Sequence, residues 1–206
     1  MEKFTQHAGI AAPLLQINID TDAIIPSKEM KRVSKEGLGE GLFANWRYSD
    51  VAKRVENPDF VLNQSRYRDA TILLAGLNFG CGSSREHAVW ALKDWGIRAI
   101  IAPSFGSIFY GNCVRNGILP IELDEDVVAS WAEQALSAAN GGRISIDLVA
   151  KTATSPNGET RAFDIAPADR EMLLEGLDSI AVTLKHDDDI KAFRVRDQQR
   201  RGWAYL

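Results

Sequence analysis

The residues of this 206-residue chain best suited to chemistry fall in one run, Gly76-Leu77-Asn78-Phe79-Gly80-Cys81-Gly82-Ser83-Ser84-Arg85-Glu86-His87. Its glycines let backbone come close to a ligand. Ser83 and Glu86 stand in the S-x-x-E relation of a capping box, so a helix is expected to start where the two serines fall. The free amides of such a start attract anions, and Arg85, one step into the helix, adds a guanidinium fork for a carboxylate or phosphate. A serine there can also act as a base, because amides and helix dipole stabilise its alkoxide. The bland alternative makes Ser83 a simple cap and Arg85 a surface charge. Two serines, three glycines and an arginine at one helix start weigh toward an anion site instead. His87 is assigned to packing or hydrogen bonding.

Better-known loops do not fit the letters. A Walker A loop needs Gly-Lys-Ser/Thr, whereas Gly82 is followed by Ser83 and Ser84. The dinucleotide pattern G-x-G-x-x-G starts at Gly80 and Gly82 but meets Arg85 where the third glycine belongs. The hydrolase elbow G-x-S-x-G fails likewise: set on Gly82 and Ser84, it runs on through Arg85 to Glu86 where its last glycine belongs.

The elements around this run must hold it. Residues 71–75 read as a strand leading into the turn, and a helical stretch after it closes at Gly96. Residues 98–102 form the next strand. Ser104 opens a second helix ended by Asn116-Gly117, and residues 119–123 make a third strand. Strand, helix, strand, helix, strand predicts a parallel α/β arrangement. Upstream, residues 9–17 read as a strand, residues 18–27 as an acidic loop stopped by Pro26, and residues 28–41 as a basic then glycine-rich segment. Downstream, residues 124–139 predict a helix. Residues 143–151 and 160–165 form a hairpin around Ser155-Pro156-Asn157-Gly158. Pro167 begins a helix. In the tail, Asp187, Asp188 and Asp189 precede Arg194, Arg196, Arg200 and Arg201, which matches the dipole of a solvated terminal helix.

Composition bounds the answer from another side. The 24 Lys and Arg against 28 Asp and Glu leave a formal charge of −4, the wrong sign for reading nucleic-acid phosphates. Two cysteines, Cys81 and Cys113, cannot build a four-cysteine zinc or iron–sulfur site, so no metal is expected on this chain. Without an apolar run long enough to span a bilayer, or a signal-like start, a cytoplasmic chain is expected, with reduced thiols.

The stretch GLNFGCGSSREHAVWAL resembles the signature of the 3-isopropylmalate dehydratase small subunits, the swivelling domain of the aconitase superfamily. The segments Asp20-Thr21-Asp22-Ala23-Ile24-Ile25-Pro26, Asn57-Pro58-Asp59-Phe60-Val61-Leu62-Asn63, Ala102-Pro103-Ser104-Phe105 and Leu173-Leu174-Glu175-Gly176-Leu177-Asp178 resemble family segments in family order. The resemblance implies one swivelling domain over residues 1–206 with a helical tail from about residue 186. Its fold would be β/β/α, a central, mostly parallel sheet flanked by helices, with the C-terminal hairpin and tail appended. It implies a hydro-lyase of leucine biosynthesis that isomerises 2-isopropylmalate to 3-isopropylmalate by way of 2-isopropylmaleate. A [4Fe-4S] cluster would sit on a large-subunit partner in a heterodimer, with no membrane or nucleic-acid partner. Ser83 matches the catalytic base, Ser84 and Arg85 match substrate-binding positions, and Asp22 matches an active-site aspartate, which without the resemblance reads equally as an Asx turn. Lys31 and Arg32 are both candidates for a further substrate-binding cation. Related homoaconitate, citramalate or dimethylmalate dehydratases are the nearest rivals, and a stand-alone anion-binding module is the rival from another class.

Overall fold

The computed structural model describes residues 1–30, 36–82, 85–139 and 142–205. Ser83, Ser84, Lys31 and Arg32 lie outside the described residues. The strands are β1 (Gln6–Leu14), β2 (Tyr48–Asp50), β3 (Val55–Glu56), β4 (Ala70–Ala75), β5 (Ala99–Ala102), β6 (Leu119–Glu122), β7 (Arg143–Asp147), β8 (Thr152–Thr154) and β9 (Thr160–Ala162). The helices are α1 (Thr21–Ile24), α2 (Ala44–Arg47), α3 (Glu86–Trp95), α4 (Ser107–Asn116), α5 (Glu125–Ser137), α6 (Pro167–Glu175), α7 (Ser179–Leu184) and α8 (Asp187–Arg200).

Among the described residues, seven strands join in the order β6-β5-β4-β1-β7-β8-β9, and β2 pairs with β3 apart from them. Strands β1, β4, β5 and β6 run parallel, as the alternation of strand and helix predicts, while β7, β8 and β9 continue the sheet antiparallel. The Ala-Thr-Ile-Leu-Leu-Ala of β4 and Ala-Ile-Ile-Ala of β5 are apolar on both faces because helices and loops cover both sides. On one side, α3 contributes Ala88, Val89, Ala91 and Leu92, packed with Phe43, Phe79 and Phe109. On the other, Val128, Trp131, Ala132 and Ala135 of α5 recur at helical spacing and cover Ile72, Leu74, Ile101 and Ile144. Left-handed glycines end three helices, Gly96 after α3, Gly117 after α4 and Gly176 after α6.

Three expectations shift. Residues 143–151 are not one strand: Asp147 Oδ1 accepts from Ala150 N at 2.7 Å and Lys151 turns left-handed, so β7 ends and β8 starts. The hairpin arm facing β9 is therefore β8 alone. Helix α4 starts at Ser107 rather than Ser104, whose Oγ instead accepts from Asn78 N at 2.9 Å. The N-cap of α3 is Arg85, so Glu86 is its first residue rather than the third position of a capping box, and its Oε1 accepts from Asn116 Nδ2 at 2.8 Å. In the tail, no residue of α8 is buried, and its dipole is flanked by Asp187, Asp188 and Asp189 at one end and Arg200 at the other.

Candidate active site

Parallel strands deliver their following loops to one edge. Leu14 of β1 lies opposite Ala75 of β4, and Leu74 lies opposite Ile101 of β5, so three chains leave the sheet side by side at its carboxyl end. In open α/β sheets this end is where ligands bind. Backbone hydrogen bonds stitch the three exits together. Asn18 N donates to Leu77 O (2.8 Å), Gly80 N to Ile19 O (2.7 Å), Thr21 N to Cys81 O (3.1 Å), Phe79 N to Ser104 O (3.0 Å) and Gly106 N to Phe79 O (2.9 Å).

Two glycines make that approach feasible. A Cβ on Gly76 would lie 2.4 Å from Leu15 O, and one on Gly80 would lie 2.2 Å from the ring of Phe109. Gly80 also adopts φ +73°, a left-handed conformation that side chains resist. Beneath it, Phe79 packs edge-on against Phe105 and Phe109, with centroids 6.5 and 5.4 Å away.

The signature turn thus rests on an aromatic floor, and the acidic loop lies across it. Asp20 caps α1, its Oδ1 accepting from Ala23 N at 2.7 Å. The Asx role considered for Asp22 therefore belongs to Asp20. Asp22, two residues on, is free to pair with the guanidinium of Arg85, Nη1 donating to Oδ1. The two side chains are partly exposed, 32% for Arg85 and 55% for Asp22. An ion pair so wetted is worth roughly 0–1 kcal/mol, so an incoming carboxylate can replace Asp22 at small cost. Of the six candidate side chains, the described structure brings these two together.

The segment bearing Lys31 and Arg32 departs from and returns to fixed ground. Before it, Glu29 pairs with Arg54 at 2.5 Å, an interaction that pushes the Arg54 pKa further up. After it, Gly39 N donates to Asp94 Oδ2 at 2.8 Å near the end of α3. Arg47, only 3% exposed, donates to the carbonyls of Gly39 (3.0 Å) and Glu40 and to the Tyr48 hydroxyl, with its guanidinium over the Trp95 ring. Sequence reading missed Arg47, since nothing in Phe43-Ala44-Asn45-Trp46-Arg47-Tyr48 announces a buried cation. It also missed Asp20 as the cap and the Asn18–Asn78 contact, although asparagine before a turn is a usable signal.

Other candidates serve structure. His87 lies against Trp90, ring centroids 4.7 Å apart, in keeping with a packing role. Cys113 is wholly buried in the core, which drives its thiol pKa well up and keeps it protonated, whereas Cys81 lies half-buried in the signature turn. Among the described residues, no three His, Cys, Asp or Glu side chains gather as metal ligands, and these two separate thiols do not form the donor set of an iron–sulfur cluster.

Comparison with known proteins gives the arrangement a context. The family model of the aconitase C-terminal domain matches residues 1–126. The chain is 57% identical to the 3-isopropylmalate dehydratase small subunit of Cupriavidus necator, covering 100% of this chain and 99% of that one. It is 51% identical to the protein of the same name from Rhodospirillum centenum, with 99% of each chain covered. A solved structure of 3-isopropylmalate dehydratase from Methanocaldococcus jannaschii superposes with a TM-score of 0.65 at 29% identity, covering 92% of this chain and 99% of that one.

Proposed function

The chain belongs to the 3-isopropylmalate dehydratase small-subunit family, built on the aconitase C-terminal domain, and on that premise we propose how its residues divide the work of a hydro-lyase with a large-subunit partner. The substrate is 2-isopropylmalate. A proton leaves the carbon beside one carboxylate, the C–O bond on the neighbouring carbon breaks, and water departs to give 2-isopropylmaleate. Water then adds in the opposite sense, placing hydroxyl where hydrogen had been and yielding 3-isopropylmalate, so the overall change is an isomerisation within leucine biosynthesis.

Ser83 is the base that takes and returns the carbon-bound proton. Such a proton is weakly acidic, because its removal throws negative charge onto the adjacent carboxylate. Arg85 and Ser84 hold that carboxylate and oppose the growing charge, an effect strongest where donors are already in place. The observation that carries this reading is the Arg85–Asp22 pair at the carboxyl edge of the sheet, a guanidinium already engaged by one carboxylate and open enough to exchange it for another. Displaced, Asp22 is left beside the reacting carbons, where it orients the departing or arriving water. Lys31 or Arg32 neutralises the second carboxylate.

Lewis-acid activation of the hydroxyl is the one contribution we assign elsewhere, to a [4Fe-4S] cluster on the large subunit. Among the described residues no helix is long and apolar enough to cross a membrane. A cytoplasmic site of action follows from the biosynthetic role.

The test uses both subunits, co-produced and assayed anaerobically for the unsaturated intermediate by its ultraviolet absorbance. Ser83→Ala is expected to leave assembly intact and lower kcat by about a thousandfold, the scale of losing a general base. Near-normal turnover in that variant would overturn the assigned base. A panel of homoaconitate, citramalate and dimethylmalate identifies the preferred acid.

A further inference from the structure

We propose that Ile17 and Leu77 form an apolar ridge on which the large subunit seats itself over the Arg85–Asp22 site, an inference that rests on the division of the active site between two chains. The two loops carrying the site's charges repeat one local figure. In the first, exposed Ile17 (60%) precedes Asn18 at φ +56° and buried Ile19; in the second, exposed Leu77 (42%) precedes Asn78 at φ +58° and buried Phe79. Residues with a Cβ rarely adopt this left-handed conformation, and asparagine tolerates it best.

The two figures are locked to each other. Asn18 N donates to Leu77 O at 2.8 Å, and Asn78 Nδ2 donates to Asn18 Oδ1 at 2.8 Å. Asn78 N is held in turn by Ser104 Oγ at 2.9 Å. Backbone strain and three hydrogen bonds thus hold two aliphatic side chains in water, which gains nothing for an isolated chain. Strain of this kind persists where a function uses it. Leu15 (42% exposed) continues the apolar surface toward a cleft lined by Trp46, Phe60 and Val61.

Position decides the occupant. Asp22 follows Ile17 by five residues and Arg85 follows Leu77 by eight, so the ridge borders the end of the sheet where substrate binds. Whatever covers the ridge also closes that end to water. A second copy of this chain would bring another serine and arginine but no Lewis acid. The large subunit supplies what the half-site lacks, and an apolar hollow on it would receive the ridge as a central anchor of the kind that dominates interface energy.

The experiment titrates wild-type, Ile17→Asp, Leu77→Asp and double-variant small subunits against the large subunit, with Val149→Asp as a control. Val149 is 58% exposed beyond Asp147, which pairs with Gln6 at the opposite end of β1. Each single variant is expected to raise Kd at least tenfold and the double about a hundredfold. Val149→Asp leaves Kd unchanged, and kcat at saturating large subunit stays within about twofold throughout. Unfolding temperature shows whether the aspartate variants fold, and Ile17→Ser with Leu77→Ser carries the same test if they do not. An unchanged Kd, a raised KM with unchanged Kd, or an effect confined to self-association overturns the ridge alone. Failure of the wild-type chains to assemble, or turnover by the small subunit alone, strikes the division of the site instead.

Discussion

The two ends of β1 are built by different means. At its carboxyl end, three loops are joined main chain to main chain, and glycines replace side chains wherever the contact would otherwise close. At its amino end, main-chain bonds from Leu148 N to Thr5 O and from Phe4 N to Leu173 O, both 2.9 Å, are joined by side chains, Gln6 Nε2 donating to Asp147 Oδ2 at 2.7 Å. Toward the tail, side chains tie the helices: Lys185 reaches Glu171 and Glu175 at 2.5 and 2.7 Å, and Arg201 reaches Asp197 at 2.7 Å. Long exposed side chains sample many rotamers, and such pairs are worth under about 1 kcal/mol. Buried backbone bonds have no such freedom. The edge to which we assign proton transfer uses the stiff construction, and the periphery uses the adaptable one.

Paired glycine substitutions sharpen this contrast most. Gly80 (φ +73°) and Gly158 (φ +88°) share a left-handed backbone, but a Cβ on Gly80 would collide with Phe109 whereas one on Gly158 would meet nothing within 4 Å. Gly80→Ala is expected to cost about 4 kcal/mol, from strain and overpacking together. Gly158→Ala should cost about 1 kcal/mol, from strain alone. Urea titration with an unchanged slope measures both. Equal losses at the two positions would mean that the site loops repack as readily as the hairpin.

Arg47 comes next in size. Arg47→Met keeps the bulk between Tyr48 and Trp95 but removes the guanidinium that donates to the carbonyls of Gly39 and Glu40, leaving them Leu42 N and the Tyr48 hydroxyl. A loss of about 2–3 kcal/mol is expected, and amide exchange should quicken at residues 38–43 before it does in β4. Because this segment anchors the return of the Lys31 and Arg32 loop, KM is expected to rise more than kcat falls. A rise in exchange rates spread evenly over the sheet would remove Arg47 from any particular role at the site.

How much of this was legible beforehand follows the same division. Glycine and proline write backbone requirements into sequence directly, so the signature turn, the ends of α3 and α4 and the start of α6 could be read. The parallel half was legible because strands buried on both faces are short apolar runs between helical patterns. The break between β7 and β8 was not, since Asp147 and Lys151 make their turn without glycine or proline. Asp20 and Asp22 are chemically alike in sequence, and only the parallel bridge between Asp20 and Cys81 decides which one caps and which one meets Arg85. Arg47 was hidden because its partners are carbonyls, which every residue has.

The smallest expected effect lies in the tail, where acid should act on one end of the molecule and spare the other. Hydrogen bonds from Arg201 and Tyr205 hold the Asp197 carboxyl below its ordinary value of 3.8. A carboxyl depressed on folding stabilises the folded tail at pH values above 3.8, and that contribution disappears as pH falls through the lower folded-state value. Glu171, lowered by Lys185, titrates in the same sense where α6 meets the residues after α7. Helical content of α8 should therefore begin to fall below about pH 4, and Asp197→Asn should remove that step while lowering helicity slightly at neutral pH. The backbone bonds among residues 18–21, 77–81 and 104–106 have no protons to gain over this range. Their amide protection should persist through the same titration, and simultaneous loss at both ends would show that tail and active edge unfold as one unit.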